Sequence, residues 1–343
     1  MTTKMNRVVL ARRPSGDPVA EDFRLESAEL GAPGEGEVLV RVTGLSLDPY
    51  MRGRMDDVKS YADPVQIGDT MEGGTVGIVE ASNDPKFAVG DGVFGMLGWA
   101  SHGIVKGKAL RKLDRSVPMD TALGVLGMPG FTAYAGVTAF GNIKEGETLV
   151  VGAATGPVGS MVGQLAKARG ARVVGVAGGA EKCKIAVEKF GFDACIDHRA
   201  YSTAKEMREA LRAECPKGID VYFENVGGPT LGGVLPLMNL AGRIIVCGMI
   251  AWYSGATDET GSMPLQQFWR SVLVKRLQIF GLLQNDHVHL FGDFIREVAP
   301  KIASGEIAYL EDVADGLENA PAAFQGLLKG RNIGKQIVRI SEE

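Results

Sequence analysis

A glycine-rich string, Gly152-Ala-Ala-Thr-Gly-Pro-Val-Gly159, has the residue types and spacing that point most directly to chemistry. Gly156 would let the backbone approach a pyrophosphate, and Gly159 would let a helix pack closely on a strand. The N–H groups at the start of that helix would attract negative charge. Such a string is often an ordinary tight turn, but here it follows an apolar strand and opens a helix, which favours a dinucleotide site. The predicted contacts are Thr155, Gly156, Pro157, Val158 and Gly159.

The end of the next strand indicates which dinucleotide would bind. An enzyme that uses NAD usually has Asp or Glu there, because an acidic side chain binds the ribose 2′-hydroxyl. This chain has small residues over 177–180 and then Lys182, with His198 and Arg199 after the following strand. These groups could hold a 2′-phosphate, so the sequence favours NADPH. The alternative is that Lys182, beside Glu181, is a solvated residue on a helix face. The predicted contacts are Gly178, Lys182 and His198.

The elements that must position these residues follow two different patterns. From about Met128, short apolar runs such as 148–152, 172–177 and 243–247 alternate with helical stretches, which is typical of parallel βαβ units. The first third instead has short strands separated by turn signals, and residues 333–340 return to that pattern. The predicted fold class is α/β, a Rossmann doubly wound parallel sheet inserted in a β-rich domain. Residues 129–309 would form the dinucleotide-binding domain, and residues 1–128 plus 310–343 the other domain.

Composition and charge exclude several classes of protein. A net charge of −4 gives no general attraction to nucleic acid or to an anionic membrane surface. No stretch approaches the roughly 18 apolar residues of a spanning helix, and the first residues contain no apolar signal segment. We therefore expect a cytoplasmic protein. The cysteines are scattered singly, which predicts reduced thiols and no zinc site; they are Cys183, Cys195, Cys215 and Cys247.

Further strings along the whole chain are long and distinctive. They are Ser46-Leu-Asp-Pro-Tyr-Met-Arg52, Met128-Pro-Gly-Phe-Thr-Ala-Tyr134, Phe223-Glu-Asn-Val-Gly-Gly228, Cys247-Gly-Met249 and Arg331-Asn-Ile-Gly-Lys335. With the glycine string, they resemble the zinc-independent branch of the medium-chain dehydrogenase/reductase superfamily, which contains prostaglandin reductases, plant 2-alkenal double-bond reductases and bacterial curcumin reductases. The resemblance implies a GroES-like substrate and catalytic domain, a Rossmann domain, an active site in the cleft between them, and a homodimer.

The resemblance also implies an activity and a set of roles. The activity is NADPH-dependent reduction of the carbon–carbon double bond of α,β-unsaturated ketones or aldehydes, which are small hydrophobic substrates. Carried over by position, Asn225 and Gly227 line the cofactor cleft, and Asn332 contacts the nicotinamide end. Tyr253 falls at the position of the family's active-site tyrosine. Tyr50 falls where the family has a substrate-lining aromatic residue.

Two methionines complete the expected site, and two positions depart from the family pattern. Met249 is an expected cofactor contact, and Met128 is an expected substrate contact because methionine forms adaptable apolar walls. His198 stands where relatives commonly have a tyrosine near the ribose phosphate, which would make affinity more dependent on pH. Residues 251–252 are Ala and Trp, where relatives commonly have a polar pair.

The zinc-dependent members of the superfamily need ligands that this sequence lacks at the corresponding positions. Their catalytic zinc takes a thiolate from the N-terminal domain and a histidine from a Gly-His-Glu segment. Here the first cysteine is Cys183, and the corresponding segments read Ser46-Leu-Asp-Pro-Tyr50 and Asp69-Thr-Met-Glu-Gly-Gly74. His102 is the one histidine of the N-terminal region. The sequence therefore predicts chemistry without a metal.

A reduction without a metal needs a hydride source and a donor for the charge that develops on oxygen. Hydride would go to the β-carbon of an enone, and Tyr253 is the leading candidate for the donor or proton source. The cofactor's ribose hydroxyl and water are competitors for that role. Three alternative functions stay open: an NADPH quinone reductase, an enzyme that oxidises allylic alcohols, and a catalytically silent NADPH-binding protein.

Overall fold

The protein, described here by a computed structural model over residues 2–255 and 264–342, divides into two compact units. Unit 1 comprises Met1–Gly127 with Glu311–Glu343, and unit 2 comprises Met128–Leu310. Unit 1 is β-rich, and unit 2 has a parallel sheet with helices between its strands. The predicted fold class is confirmed, because the parallel sheet is inserted in the chain of a β-rich unit.

The strands and helices are named in chain order. Those before residue 128 are β1 (Thr3–Leu10), β2 (Phe23–Leu30), β3 (Glu37–Ser46), α1 (Met51–Arg54), β4 (Thr75–Ser82), β5 (Gly92–Gly95), β6 (His102–Lys106) and β7 (Arg111–Lys112). Those of unit 2 are α2 (Met128–Gly136), β8 (Thr148–Gly152), α3 (Pro157–Ala168), β9 (Arg172–Ala177), α4 (Ala180–Glu188), β10 (Ala194–Asp197), α5 (Ala204–Glu214), β11 (Ile219–Glu224), α6 (Gly228–Val234), β12 (Met238–Val246), α7 (Leu265–Lys275), β13 (Gln278–Gly281) and α8 (Phe291–Ala303). The last are β14 (Glu311–Asp315), α9 (Ala320–Leu328) and β15 (Lys335–Arg339). None of these described helices combines the length and apolar character needed to cross a bilayer.

Unit 1 is built on a seven-stranded sheet and a separate β1–β2 hairpin pair. The sheet order is β14-β15-β3-β4-β5-β7, with β6 also pairing with β3. Its core includes Phe23, which stacks on Trp99 at 5.6 Å between ring centroids, and Phe324 of α9, which meets both rings edge-on. A buried ion pair joins Lys335 Nζ to Asp48 Oδ1 at 2.8 Å. This pair ties the start of β15 to the segment that follows β3.

Unit 2 is built on a six-stranded sheet in the order β10-β9-β8-β11-β12-β13, and all neighbouring strands are parallel. The central strand β8 is buried along its whole length, as expected for a strand covered on both faces. The chain continues from β8 to β9 and β10 on one side, and later to β11, β12 and β13 on the other. The strand order therefore reverses between β8 and β11, where ligands of such sheets bind.

The observed strands differ from the sequence prediction chiefly at β12. Strands β8 and β9 have the predicted bounds, whereas β12 begins at Met238, five residues before the predicted Arg243. Ala241 has a φ of 58°, and the register against β11 shifts between Ile219 and Val221. This irregular pairing allows β12 to contain a glycine and polar residues at its start, where the sequence pattern does not predict a strand. Helix α3 begins at Pro157, because proline fits the first helical position.

Candidate active site

The glycine-rich turn connects β8 to α3 with the geometry that its residue types predict. Ala153 adopts a left-handed φ of 51°, and the N–H of Ala154 donates to the carbonyl oxygen of Val176 at 3.0 Å. A Cβ at Gly159 would lie 2.3 Å from the carbonyl oxygen of Ala153, so only glycine allows α3 to start this close to the turn. A Cβ at Gly156 would meet one atom, the same carbonyl oxygen at 3.2 Å.

The start of α3 presents the charge that a phosphate needs. The first N–H groups of any α-helix have no partner inside the helix, and they give its amino end partial positive charge. Gly156 is the N-cap residue and Pro157 follows it, so the N–H groups of Val158 and Gly159 stand in that first turn. Thr155 is buried beside them, at 4% exposure. The residues predicted from the string therefore form one continuous turn that could hold a pyrophosphate.

Three basic side chains converge at the end of β9. A Cβ at Gly178 would lie 2.9 Å from His198 Nε2 and 3.1 Å from Arg199 Nε, so both side chains cover this glycine. Lys182, in the first turn of α4, lies close enough to act on the charge of His198. The structure thus brings together Gly178, Lys182, His198 and Arg199, the group that the sequence analysis considered for the 2′-phosphate. A group with two or more negative charges could be held there by charge-assisted hydrogen bonds.

The surroundings of His198 favour the neutral form of its imidazole. Desolvation lowers its pKa below the ordinary value, Asp197 opposes this effect, and the positive charges of Arg199 and Lys182 lower it further. A dianion in contact with the ring would raise the pKa again, because it favours the charged imidazolium. His198 can therefore take up a proton when a phosphate group binds.

Asp197 organises this end of the site, and the sequence analysis missed it. Its Oδ1 accepts from the N–H of Gly179 at 2.7 Å and from the N–H of Arg199 at 2.9 Å. Gly179 has a φ of 103°, a conformation that L side chains rarely adopt. Although burial opposes it, these hydrogen bonds hold the pKa of Asp197 below its ordinary value. The sequence signal for this role is an aspartate at a strand end, because Asp side chains commonly accept from the backbone N–H two residues on, here that of an arginine.

The loops that follow β8, β11 and β12 are hydrogen-bonded to one another. Asn225 Nδ2 donates to the carbonyl oxygen of Gly152 at 2.9 Å, which links the carboxyl ends of β11 and β8 across the reversal of strand order. The carbonyl oxygen of Asn225 accepts from the N–H of Ile250 at 3.2 Å, and that of Val226 accepts from Ala251 at 3.0 Å. The three loops therefore form one connected surface at the end of the sheet where ligands bind.

Gly227 and Tyr253 lie in this surface. Gly227 has a φ of 83°, and a Cβ there would lie 2.8 Å from the ring of Trp252, so the indole packs directly on the glycine. The N–H of Met249 donates to Tyr253 Oη at 3.3 Å, and a Cβ at Gly248 would lie 3.1 Å from the same oxygen. The phenol oxygen of Tyr253 therefore lies against the backbone of residues 248–249.

The remaining predicted residues lie elsewhere in the chain. Tyr50 and Asn332 belong to unit 1, and Met128 begins α2 of unit 2, where its carbonyl oxygen accepts from Thr132 Oγ1 at 2.7 Å. Burial, and then the charge of Asp48, raises the pKa of Tyr50, so its phenol is protonated at neutral pH. Asn332 Nδ2 donates to the carbonyl oxygen of Gly334 at 2.8 Å.

Over residues 2–255 and 264–342, no group of three or more His, Cys, Asp or Glu side chains is arranged to hold a metal ion. His287 and His289 lie near each other, with 6.1 Å between ring centroids, and His287 packs against Phe140.

Comparison with known proteins identifies the family. Residues 6–113 match a family described as the N-terminal domain of oxidoreductase, and residues 157–300 match one described as zinc-binding dehydrogenase. The chain is 51% identical to the NADPH-dependent curcumin reductase of Escherichia coli, over 98% of this chain and 96% of that protein. It is 43% identical to the NADP(+)-dependent 2-alkenal reductase of Nicotiana tabacum, over 98% of each chain.

A solved structure supports the same assignment. The complex of CurA from Vibrio vulnificus with NADPH aligns with a TM-score of 0.93 and 47% sequence identity, covering 98% of this chain and 100% of that one. Although one matched family is described as zinc-binding, the relatives named above are zinc-independent reductases. With identities above 40% over nearly the whole length, the chain belongs to the zinc-independent branch of the medium-chain dehydrogenase/reductase family.

Proposed function

We propose that this protein is an NADPH-dependent enzyme that reduces the carbon–carbon double bond of α,β-unsaturated ketones or aldehydes. The observation that carries the proposal is the group of Lys182, His198 and Arg199 around the small residues that end β9. An enzyme selective for NAD has an acidic side chain at that position. The names of the E. coli and tobacco relatives, and the NADPH in the CurA complex, support both the cofactor and the reaction class.

NADPH is the cofactor, and the residues of unit 2 fit its parts. The turn over 155–159 would hold the pyrophosphate at the start of α3, and Gly178, Lys182 and His198 would hold the 2′-phosphate. Asn225, Gly227 and Met249 would line the nicotinamide half, where the loops after β11 and β12 are joined. From unit 1, Asn332 is proposed to contact the nicotinamide end.

Four free cysteines are consistent with the proposed cytoplasmic location.

Lys182→Ala tests the assignment of the 2′-phosphate site. Loss of a charge-assisted hydrogen bond of about 1.5–3 kcal/mol should raise the dissociation constant of NADPH roughly 10- to 100-fold, with little effect on NADH. Lys184→Ala is the matched control, since Lys184 is on the same helix but its side chain is 69% exposed and paired with Glu188. Calorimetric titration measures both affinities. Equal losses for NADPH and NADH in Lys182→Ala would contradict the assignment.

We propose that Tyr253 donates a hydrogen bond to the carbonyl oxygen of the substrate or a proton to its α-carbon. When bound, NADPH supplies the hydride that the β-carbon of the substrate accepts. Negative charge then develops on the carbonyl oxygen of the substrate, and a donor aimed at that oxygen stabilises the transition state. The Oη of Tyr253 accepts from the N–H of Met249, which orients the ring, and a phenol is protonated at neutral pH and able to donate. Tyr50 and Met128 are proposed to line the substrate.

Replacing Tyr253 with Phe should lower kcat while leaving NADPH affinity within about twofold. Removal of one donor of this kind typically costs about 10²–10³ in kcat. Tyr134→Phe is the control. It also removes one phenol hydroxyl, but Tyr134 lies in helix α2 and its hydroxyl donates to Glu297 at 3.0 Å. Steady-state kinetics on several enones, combined with nucleotide titration, separates the two effects. Undiminished kcat on every enone would remove Tyr253 from the mechanism.

The substrate class is tested by following NADPH oxidation at 340 nm. A panel should contain an alkenal, an alkenone, a diarylheptanoid enone, an allylic alcohol assayed with NADP⁺, and a benzoquinone, with NADH run in parallel. The proposal expects turnover of the unsaturated carbonyl compounds to exceed that of the quinone. Faster turnover of the quinone would instead support a quinone reductase. Tight NADPH binding without oxidation by any compound would support a catalytically silent binding protein.

The family's homodimer is also proposed for this chain, and one exposed face supports it. Leu265, Trp269 and Leu273 repeat every four residues along α7 and are 69%, 59% and 78% exposed. Strand β13 is an edge strand of the described sheet, and its Ile279 is 38% exposed. An apolar row beside an open strand edge is a feature that proteins cover by association.

Light scattering tests this proposal through the molar mass in solution. The parent chain should have twice the chain mass of 36.4 kDa. Leu273→Glu should shift the mass toward the monomer, because it places a charge in the apolar row. Leu240→Glu is the control, since Leu240 is 59% exposed on a different strand, β12. A parent chain that is monomeric at micromolar concentration would contradict the proposal.

A further inference from the structure

A buried carboxylate, Glu224, stands at the end of β11 immediately before the loop that carries Asn225 and Gly227. Its residue exposure is 3%. Oε1 accepts from the N–H of Val226 at 2.6 Å, from the N–H of Gly227 at 2.9 Å and from Tyr222 Oη at 3.0 Å. The side chain therefore folds back onto its own loop and fixes the path of the backbone through Gly227.

The main chain of Glu224 holds the neighbouring loop as well. Its carbonyl oxygen accepts from the N–H of Cys247 at 2.9 Å and from the N–H of Gly248 at 3.1 Å. Cys247 and Gly248 begin the loop that reaches Met249 and Tyr253. One residue thus anchors both loops that we propose to line the nicotinamide half of the cofactor, through its side chain on one and its backbone on the other.

The second carboxylate oxygen of Glu224 makes this arrangement costly for folding. Oε2 of Glu224 is buried and has no hydrogen-bond partner among the described residues. A buried ionised oxygen without a partner destabilises the fold, and a well-packed apolar side chain is often at least as stable at such a site. Burial raises the pKa of Glu224, although the N–H groups of Val226 and Gly227 act in the opposite direction.

We propose that Glu224 is a positioning residue for the cofactor: its carboxylate holds the Asn225–Gly228 loop in the conformation that receives the nicotinamide half of NADPH. The inference rests on the proposed placement of the cofactor beside Asn225 and Gly227. Glu224 itself does not contact substrate or cofactor in this account. Its effect passes through Gly227, whose backbone supports the indole of Trp252, and through Asn225, whose amide reaches Gly152.

The test compares Glu224→Ala and Glu224→Gln with a control variant that removes a carboxylate at the other end of the same sheet. Glu147 precedes β8 and pairs with Arg243 of β12 at 2.5 Å, so Glu147→Ala also removes a carboxylate and an ion pair from unit 2. Calorimetric titration with NADPH and thermal unfolding are measured for all four proteins. We expect the dissociation constant to rise at least tenfold in Glu224→Ala and less than threefold in Glu224→Gln, whose amide oxygen still accepts from both N–H groups. Glu147→Ala should lower Tm yet change the constant less than twofold.

Tryptophan emission gives a second readout that general destabilisation does not move. Trp252 packs on Gly227, so Glu224→Ala should shift its emission at temperatures well below Tm, whereas Glu147→Ala should not. The proposal is overturned if folded Glu224→Ala binds NADPH as the parent does, or if Glu147→Ala loses as much affinity. Asn225→Ala separates this inference from the cofactor placement. If neither Glu224→Ala nor Asn225→Ala changes the affinity for NADPH, the proposed placement of the cofactor is wrong. If Asn225→Ala lowers the affinity and Glu224→Ala does not, the placement stands and only the role of Glu224 is wrong.

Discussion

The site depends on the parallel pairing of β8 with β11, because that pairing sets the loops of two distant chain segments side by side. The hydrogen bond from Asn225 Nδ2 to the carbonyl oxygen of Gly152 crosses this junction. A parallel sheet with helices on both faces leaves such a junction only where the strand order reverses. The glycine turn and the loops after β11 and β12 therefore share one edge of the sheet, and everything proposed about catalysis in unit 2 follows from their proximity.

The proposed selection of NADPH over NADH rests on a second local constraint at the end of β9. Small residues there leave room over the backbone, and the side chains of His198 and Arg199, which directly follow the neighbouring strand β10, cover Gly178. The positive charges of Lys182 and Arg199 suit a phosphate dianion, and a dianion in contact with the His198 ring would favour its charged form. In the proposed function, this end of the site binds the charged 2′-phosphate, whereas the loops after β11 and β12 line the nicotinamide half of the cofactor.

Much of the fold, and part of the candidate site, follows from local sequence. Strands β8 and β9 are continuous apolar runs, and the glycine turn has backbone requirements that only its residue types meet. Lys182 and His198 were predicted from the absence of an acidic residue. Asp197 and Glu224 were missed, because a carboxylate that binds backbone N–H groups depends on tertiary geometry. The start of β12 was missed because its irregular pairing with β11 tolerates residues that a regular strand disfavours. The roles of Tyr253, Tyr50 and Asn332 rest on family resemblance alone.

In the proposed function, the turn after β8 and the loops after β9, β11 and β12 receive NADPH together. Hydrogen–deuterium exchange with and without saturating NADPH tests it most directly, because it reports on every backbone segment at once. The account predicts slower exchange over residues 153–160, 178–183, 225–228 and 248–253. Bound NADPH that leaves exchange in all four segments unchanged, and protects a different part of unit 2, would contradict it.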